Sequence, residues 1–268
     1  MSPEEQKKEE KPASNETPAP AEEKATHEPE KKDDGTAPKY SKSEPDMLDF
    51  AGSLTEIKEC LNLLGKRFSA NSMTALRAMF NAMLHCPAST RFHSNFDGGL
   101  IIHSVNVSRY LCLYTEQNKL TWDEKSMVDD GKGGKISTSP IIIGLCHDFC
   151  KIYAYELYQR NCANGVGPNG KTLWVKKEAY NFNPKPEGVI APHGSDSTEL
   201  LLLKVLAPNG DSLTEEEAAC INYHMGPGDP SCGGNDTFCN AAKAFPNVMF
   251  TYLADMMASR RELVVSYN

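Results

Sequence analysis

Residues 139–152 read SPIIIGLCHDFCKI, and the fold turns on whether this stretch is a strand or a helix. As an apolar strand ending in an acidic residue it would pair with residues 165–172, GVGPNGKT, which match the phosphate-cradling pattern G-x-x-x-x-G-K-[ST] in full. That chemistry needs a buried strand feeding the first glycine and a helix starting at the lysine, so that backbone N–H groups surround the phosphates. The flanking residues are YQRNCAN and TLWVKKEAYNFNP, which read instead as the arms of a hairpin around a glycine-rich turn. Residues 139–152 are then a buried helix, with Pro140 suited to its first turn.

The rest of the chain agrees with a helical reading. MLDFAGSLTEIKECLNLLGKRF and SMTALRAMFNAMLH carry apolar residues at three- and four-residue intervals, as amphipathic helices do. LIIHSVNVSRYLCLYTEQ is apolar over most of its surface and should be central. Helices resume as SDSTELLLLKVL, LTEEEAACINYHM and NVMFTYLADMMASRREL, the second opened by Thr214 with Glu217 three residues later, a capping box. Between them, residues from about 153 to 182 are aromatic and β-branched and predict one β-hairpin insertion. The expectation is an all-α helical bundle over residues 47–268 interrupted by that hairpin.

Residues 1–46 contain Met1 and Tyr40 as their only large apolar or aromatic residues, and predict a disordered tail. The tail holds 13 acidic residues and 8 lysines, so it carries most of the net charge of −8 and leaves the remaining chain close to neutral. No basic track for a long nucleic acid is implied. No apolar run approaches the ~20 residues that span a bilayer, and no signal-peptide pattern opens the chain, which predicts a soluble cytoplasmic protein with no membrane partner. Nine cysteines then read as free thiols. Cys146 and Cys150, four apart around His147, lack the spacing of a zinc knuckle and read as buried packing residues.

Six histidines lie outside the tail. His103 interrupts an apolar helix, His147 precedes Asp148 at a helix end, His193 precedes a helix, and His224 ends one. Asp255 sits in an otherwise apolar helix, where a carboxylate without a partner would cost several kcal/mol or lose its charge, so it calls for a cation or strong donors. A lone histidine on such a helix is more often a hydrogen-bonded core residue than a ligand, but imidazoles and carboxylates on separate helices can converge on a bundle interior and form a metal site. His85 reads as structural.

In order along the chain, GGLIIHSVNV, GLCHDFCK, PHGSDST, INYHMG and YLADMMASR resemble the motifs of the HD-domain metal-dependent phosphohydrolases, from about Phe92 to Arg260. The extra histidines make the chain most similar to members with two metals, which include bacterial 3′-to-5′ exoribonucleases and cyclic-dinucleotide phosphodiesterases. STRFHSNFDGGLIIHS also resembles uncharacterised HD hydrolases of bacteria and their phages. The resemblance implies an HD-type helical domain holding one or two divalent ions (Mn, Fe, Zn, Ni or Mg). His103, His147, Asp148 and Asp255 would hold the first, and Asp148 would bridge to a second held by His193 and His224. A carboxylate has two oxygens and can serve two cations, and two metals roughly 3.5 to 4 Å apart can activate a bridging water and stabilise phosphoryl charge.

Lys151 matches the lysine after the His-Asp pair in many relatives and would donate to a phosphate oxygen or leaving group; its bland alternative is a lysine favoured by a helix C-terminus. His93, Gly98 and Gly99 are candidate substrate-binding residues, because glycines before a helix let backbone approach phosphate, although they serve equally as turn residues. The hairpin, with Tyr153, Tyr155, Tyr158 and Trp174, is either a flap that stacks a base or a packed lid. The expected activity is hydrolysis of a phosphomonoester or phosphodiester in a phosphorylated small molecule or short nucleic acid; the alternative is a catalytically silent nucleotide-binding or regulatory module.

Overall fold

The stretch 139–152 starts as a helix and does not remain one. In the computed structural model, which describes residues 48–185, 193–229 and 233–264, the expected tail over 1–46 lies outside the described residues. Helix α1 spans Phe50–Leu64, α2 Ala70–Met83 and α3 Gly99–Asn118. Two short strands follow, β1 (Met127–Asp129) and β2 (Lys135–Ser137), then α4 (Ser139–Cys146) and a 3-10 segment over Phe149–Tyr153. The hairpin strands are β3 (Tyr155–Val166) and β4 (Thr172–Phe182). Helix α5 (His193–Glu199) runs into a π-helical stretch over Leu200–Leu206, and α6 (Glu215–Asn222), α7 (Gly234–Ala244) and α8 (Asn247–Arg261) complete the chain.

The expected all-α class is therefore wrong: the protein is mixed, mainly helical with two separate two-stranded antiparallel sheets. One is the anticipated hairpin, Tyr155 opposite Phe182 through Val166 opposite Thr172. The other pairs β1 with β2 across DDGKGGK, which composition reads as a loop. It forms because Asp129 and Asp130 side chains accept the turn's own N–H groups (Gly131 at 2.6 Å, Lys132 at 2.7 Å), while Gly131 and Gly133 supply positive φ and Val128 is buried. GVGPNGKT is the turn of the β3–β4 hairpin, closed by Gly167 N–H to Lys171 C=O at 2.8 Å. No helix starts at its lysine.

Helix α3 is central because its first turns are apolar on every side, and Leu100, Val105, Val107 and Leu111 are fully buried. All eight residues of α4 are buried against it. The two backbones touch at Gly144, where a Cβ would stand 2.4 Å from Ser108 Cα, so only glycine permits this approach. A second close approach joins α5 to α6, with a Cβ on Gly194 falling 2.1 Å from the Asn222 carbonyl oxygen.

One buried ion pair holds α4 and α6 together at their N-termini. Glu217 closes the capping box of α6 with Thr214 and accepts from Ser139 Oγ at 2.7 Å. Arg67 grips both its oxygens, at 2.5 and 2.8 Å, and also donates to Thr138. The pair is fully hydrogen-bonded, which is the condition under which a buried charge pair is tolerated. Among the described residues no helix is long and apolar enough to cross a membrane.

Candidate metal centre

Helices α4 and α6 are both eight residues long and both deliver a histidine just past their C-termini. His147 Nδ1 donates to the Gly144 carbonyl at 2.9 Å, and His224 Nδ1 donates to the Ile221 carbonyl at 2.7 Å, the same three-residue step back onto the helix end. This bond fixes the tautomer and leaves each Nε2 lone pair for another use. Carbonyl ends of helices also carry partial negative charge, so a cation is favoured there. His224 Nε2 is buried with no hydrogen-bond partner among the described residues, an expense that a coordinated cation would remove.

Asp148 lies at the centre, its side chain 2% exposed. Its Oδ1 is 2.7 Å from His193 Nε2 and 3.5 Å from His224 Nε2. Its Oδ2 is 3.3 Å from His147 Nε2, 3.6 Å from His103 Nε2, and accepts from Lys151 Nζ. The His103 and His147 Nε2 atoms are 3.2 Å apart, and Asp255 Oδ1 is 3.1 Å from His103 Nε2. Two oxygens of one carboxylate thus face two sets of donors. Six candidate ligands from α3, α4, α5, α6 and α8 meet in one place, and the buried His/Asp clusters could hold a metal ion.

The electrostatics point the same way. Three carboxylates, those of Asp148, Asp255 and Glu262, face a single ammonium, Lys151. Burial would raise the Asp148 carboxyl, but Lys151 and His147 outweigh it and hold it well below the usual range. Asp255 is half-buried and the Glu262 side chain buried, which would raise both, but His103 draws both below the ordinary carboxylate value. Burial opposes a proton on His103, yet Glu262 and Asp255 lift its pKa to about 10; His224 is raised against burial by Asp148. His147, by contrast, is lowered by burial and is a neutral donor. The excess negative charge is balanced by imidazole protons, which a divalent ion would displace.

Other candidates fall differently. Lys151 reaches Asp148 from the 3-10 segment, because the helix does not persist beyond His147; burial opposes its charge, but Asp148 keeps it protonated. Gly98 and Gly99, expected either at a substrate or as turn residues, are closely packed on the side where a Cβ would stand. Gly98 has φ +75° with its open side filled by the Phe50 ring, and a Cβ on Gly99 would fall 1.9 Å from the Ser94 carbonyl oxygen. His93 lies beside the cluster, its ring centroid 4.6 Å from that of His103, with a buried Nε2 that has no hydrogen-bond partner. Burial, with His103 and Lys151 nearby, lowers its pKa to about 4, so it is neutral. His85 is outside the cluster, exposed and 3.5 Å from Asp97.

Two residues at the site went unread in the sequence. Glu262, the residue after α8, takes His103 Nδ1 at 3.2 Å, Asn106 Nδ2 at 3.2 Å and Ser94 Oγ at 2.8 Å. It completes a carboxylate–histidine relay behind a ligand, yet its surroundings in sequence, SRREL, resemble any polar helix end. Cys150, read as packing alone, places its Sγ 3.2 Å from His193 Nδ1. Burial lifts its pKa to about 12, so it is a neutral thiol, and its contact with Nδ1 orients the ring with Nε2 toward Asp148.

No family model, curated protein or solved structure matches this chain.

Proposed function

We propose that the protein is a divalent-metal-dependent phosphohydrolase acting on a phosphomonoester or phosphodiester of a nucleotide or short oligonucleotide. The observation that carries this reading is the division of Asp148, with Oδ1 toward His193 and His224 and Oδ2 toward His103 and His147, inside a pocket of excess negative charge. The order of these residues along the chain, similar to that of HD-domain hydrolases, supports the same reading. Four imidazoles with carboxylates suit Mn, Fe, Ni or Zn better than Mg, which prefers oxygen ligands.

His103, His147, Asp148 and Asp255 would hold one ion, and Asp148, His193 and His224 a second. A bound ion supplies an activated water and neutralises phosphoryl charge. The protein's own contribution is orientation: Glu262, Gly144 C=O, Ile221 C=O and Cys150 each fix the ring of one histidine through Nδ1. Lys151 is the one ammonium at the cluster among the described residues and is the group to donate to a non-bridging phosphate oxygen, exchanging its bond to Asp148 for one to substrate.

Elemental analysis of the purified chain should find one to two first-row metals per molecule, and metal-loaded protein should hydrolyse p-nitrophenyl phosphate, bis(p-nitrophenyl) phosphate or an oligoribonucleotide. Asp148→Ala should lose metal and activity together. Metal-loaded protein inert on all three substrates would overturn the enzyme reading and leave a metal- or nucleotide-binding module.

A further inference from the structure

The β3–β4 hairpin grows directly out of the cluster. Only Lys151 to Ala154 separate Cys150 from β3, and this base is tied down by Lys185 N–H to Tyr153 C=O at 2.7 Å and Asn183 N–H to Ala154 C=O at 2.9 Å. Tyr180 Oη donates to Asp97 Oδ1 at 3.1 Å, and Tyr155 lies within the field of both Lys151 and Asp148. From this base the strands run 12 and 11 residues outward, about 35 Å at ~3.3 Å per residue.

The two faces of the hairpin differ. Register places Tyr155, Leu157 and Ala163 on the same face as their partners Phe182, Tyr180 and Trp174. On that face Leu157 is 50%, Trp174 66% and Phe182 67% exposed, whereas Cys162 and Ala179 on the opposite face are buried. A row of exposed aromatic and apolar side chains on one face marks an interaction surface. Its charge selects the partner. Lys176 lies on that face between Trp174 and Phe182 with Glu178, and Lys171 stands at the turn; with Arg160 and Lys177 against Glu156 on the opposite face, the hairpin as a whole has a positive excess on a chain of net charge −8.

Aromatic platforms with a lysine between them, on an open ribbon whose base lies beside the Asp148 cluster, are the elements of single-strand recognition. Bases stack on ring faces and phosphates meet the ammonium groups. We propose that the exposed face of the β3–β4 hairpin binds single-stranded nucleic acid, stacking bases on Trp174 and on Phe182, with Lys176 of the same face and Lys171 of the turn on the backbone. The strand's end is thereby led to the Asp148 cluster. Delivery to the cluster rests on the phosphohydrolase reading; binding to the hairpin does not.

The test uses the full chain in EDTA, so that binding is read without hydrolysis. Fluorescein-labelled dT and rU 12-mers are titrated by anisotropy at several salt concentrations. Expected is single-strand binding that weakens with salt, and a loss of about tenfold or more in Trp174→Ala/Phe182→Ala. Lys171→Glu/Lys176→Glu, a second variant in exposed positions, should weaken binding and lower the salt slope by about two. No binding at protein concentrations on the order of 0.1 mM, the weak end of non-specific association, would overturn the proposal, as would equal or better binding of duplex. So would both variants binding as wild type does. If light scattering showed the variants breaking a dimer while oligonucleotide binding persisted, the face would be a contact between copies and the proposal would fall. Hydrolysis of bis(p-nitrophenyl) phosphate by metal-loaded wild type is a separate arm: its failure with oligonucleotide binding intact refutes the phosphohydrolase reading and leaves this one standing.

Discussion

Glu262→Gln isolates what the residue behind His103 contributes. The carboxylate receives three buried donors, from Ser94, Asn106 and His103, and its side chain is 1% exposed. Glutamine keeps the shape but has one acceptor oxygen and a donating NH2, so at least one of the three donors loses its partner. An unpaired buried donor costs about 1–3 kcal/mol, and that is the expected destabilisation of the metal-free protein in urea unfolding. His103 also loses the charge that fixes its Nδ1–H, and removing such an outer partner lowers metal affinity by about 10- to 100-fold. Calorimetric titration with Mn or Zn should therefore show a loss of about 1.4–2.7 kcal/mol in binding free energy. Glu59→Gln on the exposed side of α1 serves as the control and should stay within about 0.5 kcal/mol. If Glu262→Gln matched that control in stability and bound metal within about twofold of wild type, the relay from Glu262 to His103 would have no energetic reality.

Gly144→Ala places a methyl group 2.4 Å from Ser108 Cα and forces α3 and α4 apart by about 1 Å; overpacking of this kind costs ~1–3 kcal/mol. Metal affinity should fall with stability, since His103 and His147 sit on those two helices, and unchanged unfolding would refute the contact. Arg67→Ala leaves the Glu217 carboxylate, 0% exposed, without its cation and should destabilise by about 3–5 kcal/mol in urea, in contrast to a surface pair worth under ~1. Asp211 has its pKa held below the usual value: slight burial raises it, but the Ser72 and Ser69 hydroxyls and the Ser69 N–H outweigh that. A depressed carboxyl adds stability above its unfolded pKa near 3.9 and loses it as pH falls through the folded value, so wild type should lose more stability than Asp211→Asn below about pH 4. Lys171→Ala should leave any ATP binding unchanged, because the lysine closes a hairpin turn and starts no helix.

What the sequence disclosed and what it hid follow from how each residue signals itself. His103, His147 and Asp255 are polar groups in apolar runs, and such a group must find a partner, so a reader can mark it without knowing the partner. Glu262 needs its partners just as much, but it sits among Arg260, Arg261 and the end of a helix, where a glutamate raises no question. The β1–β2 pair was hidden for a related reason: three-residue strands carry no period, and DDGKGGK looks the same whether or not its flanks pair.

Glycine is the sharper case. Gly98 and Gly99 drew a functional reading because paired glycines before a helix suit phosphate approach, yet Phe50 and Ser94 fill the space beside them. Gly144 and Gly194 drew no notice, although each is within three residues of a candidate ligand and each removes a methyl group that would separate two ligand-bearing helices. A glycine in sequence states that something comes close, but not what comes close. Where it lies within one turn of a buried histidine or aspartate, the neighbour to expect is another ligand-bearing backbone rather than a substrate. Six candidate ligands can gather around one carboxylate only if the helices carrying them can also touch.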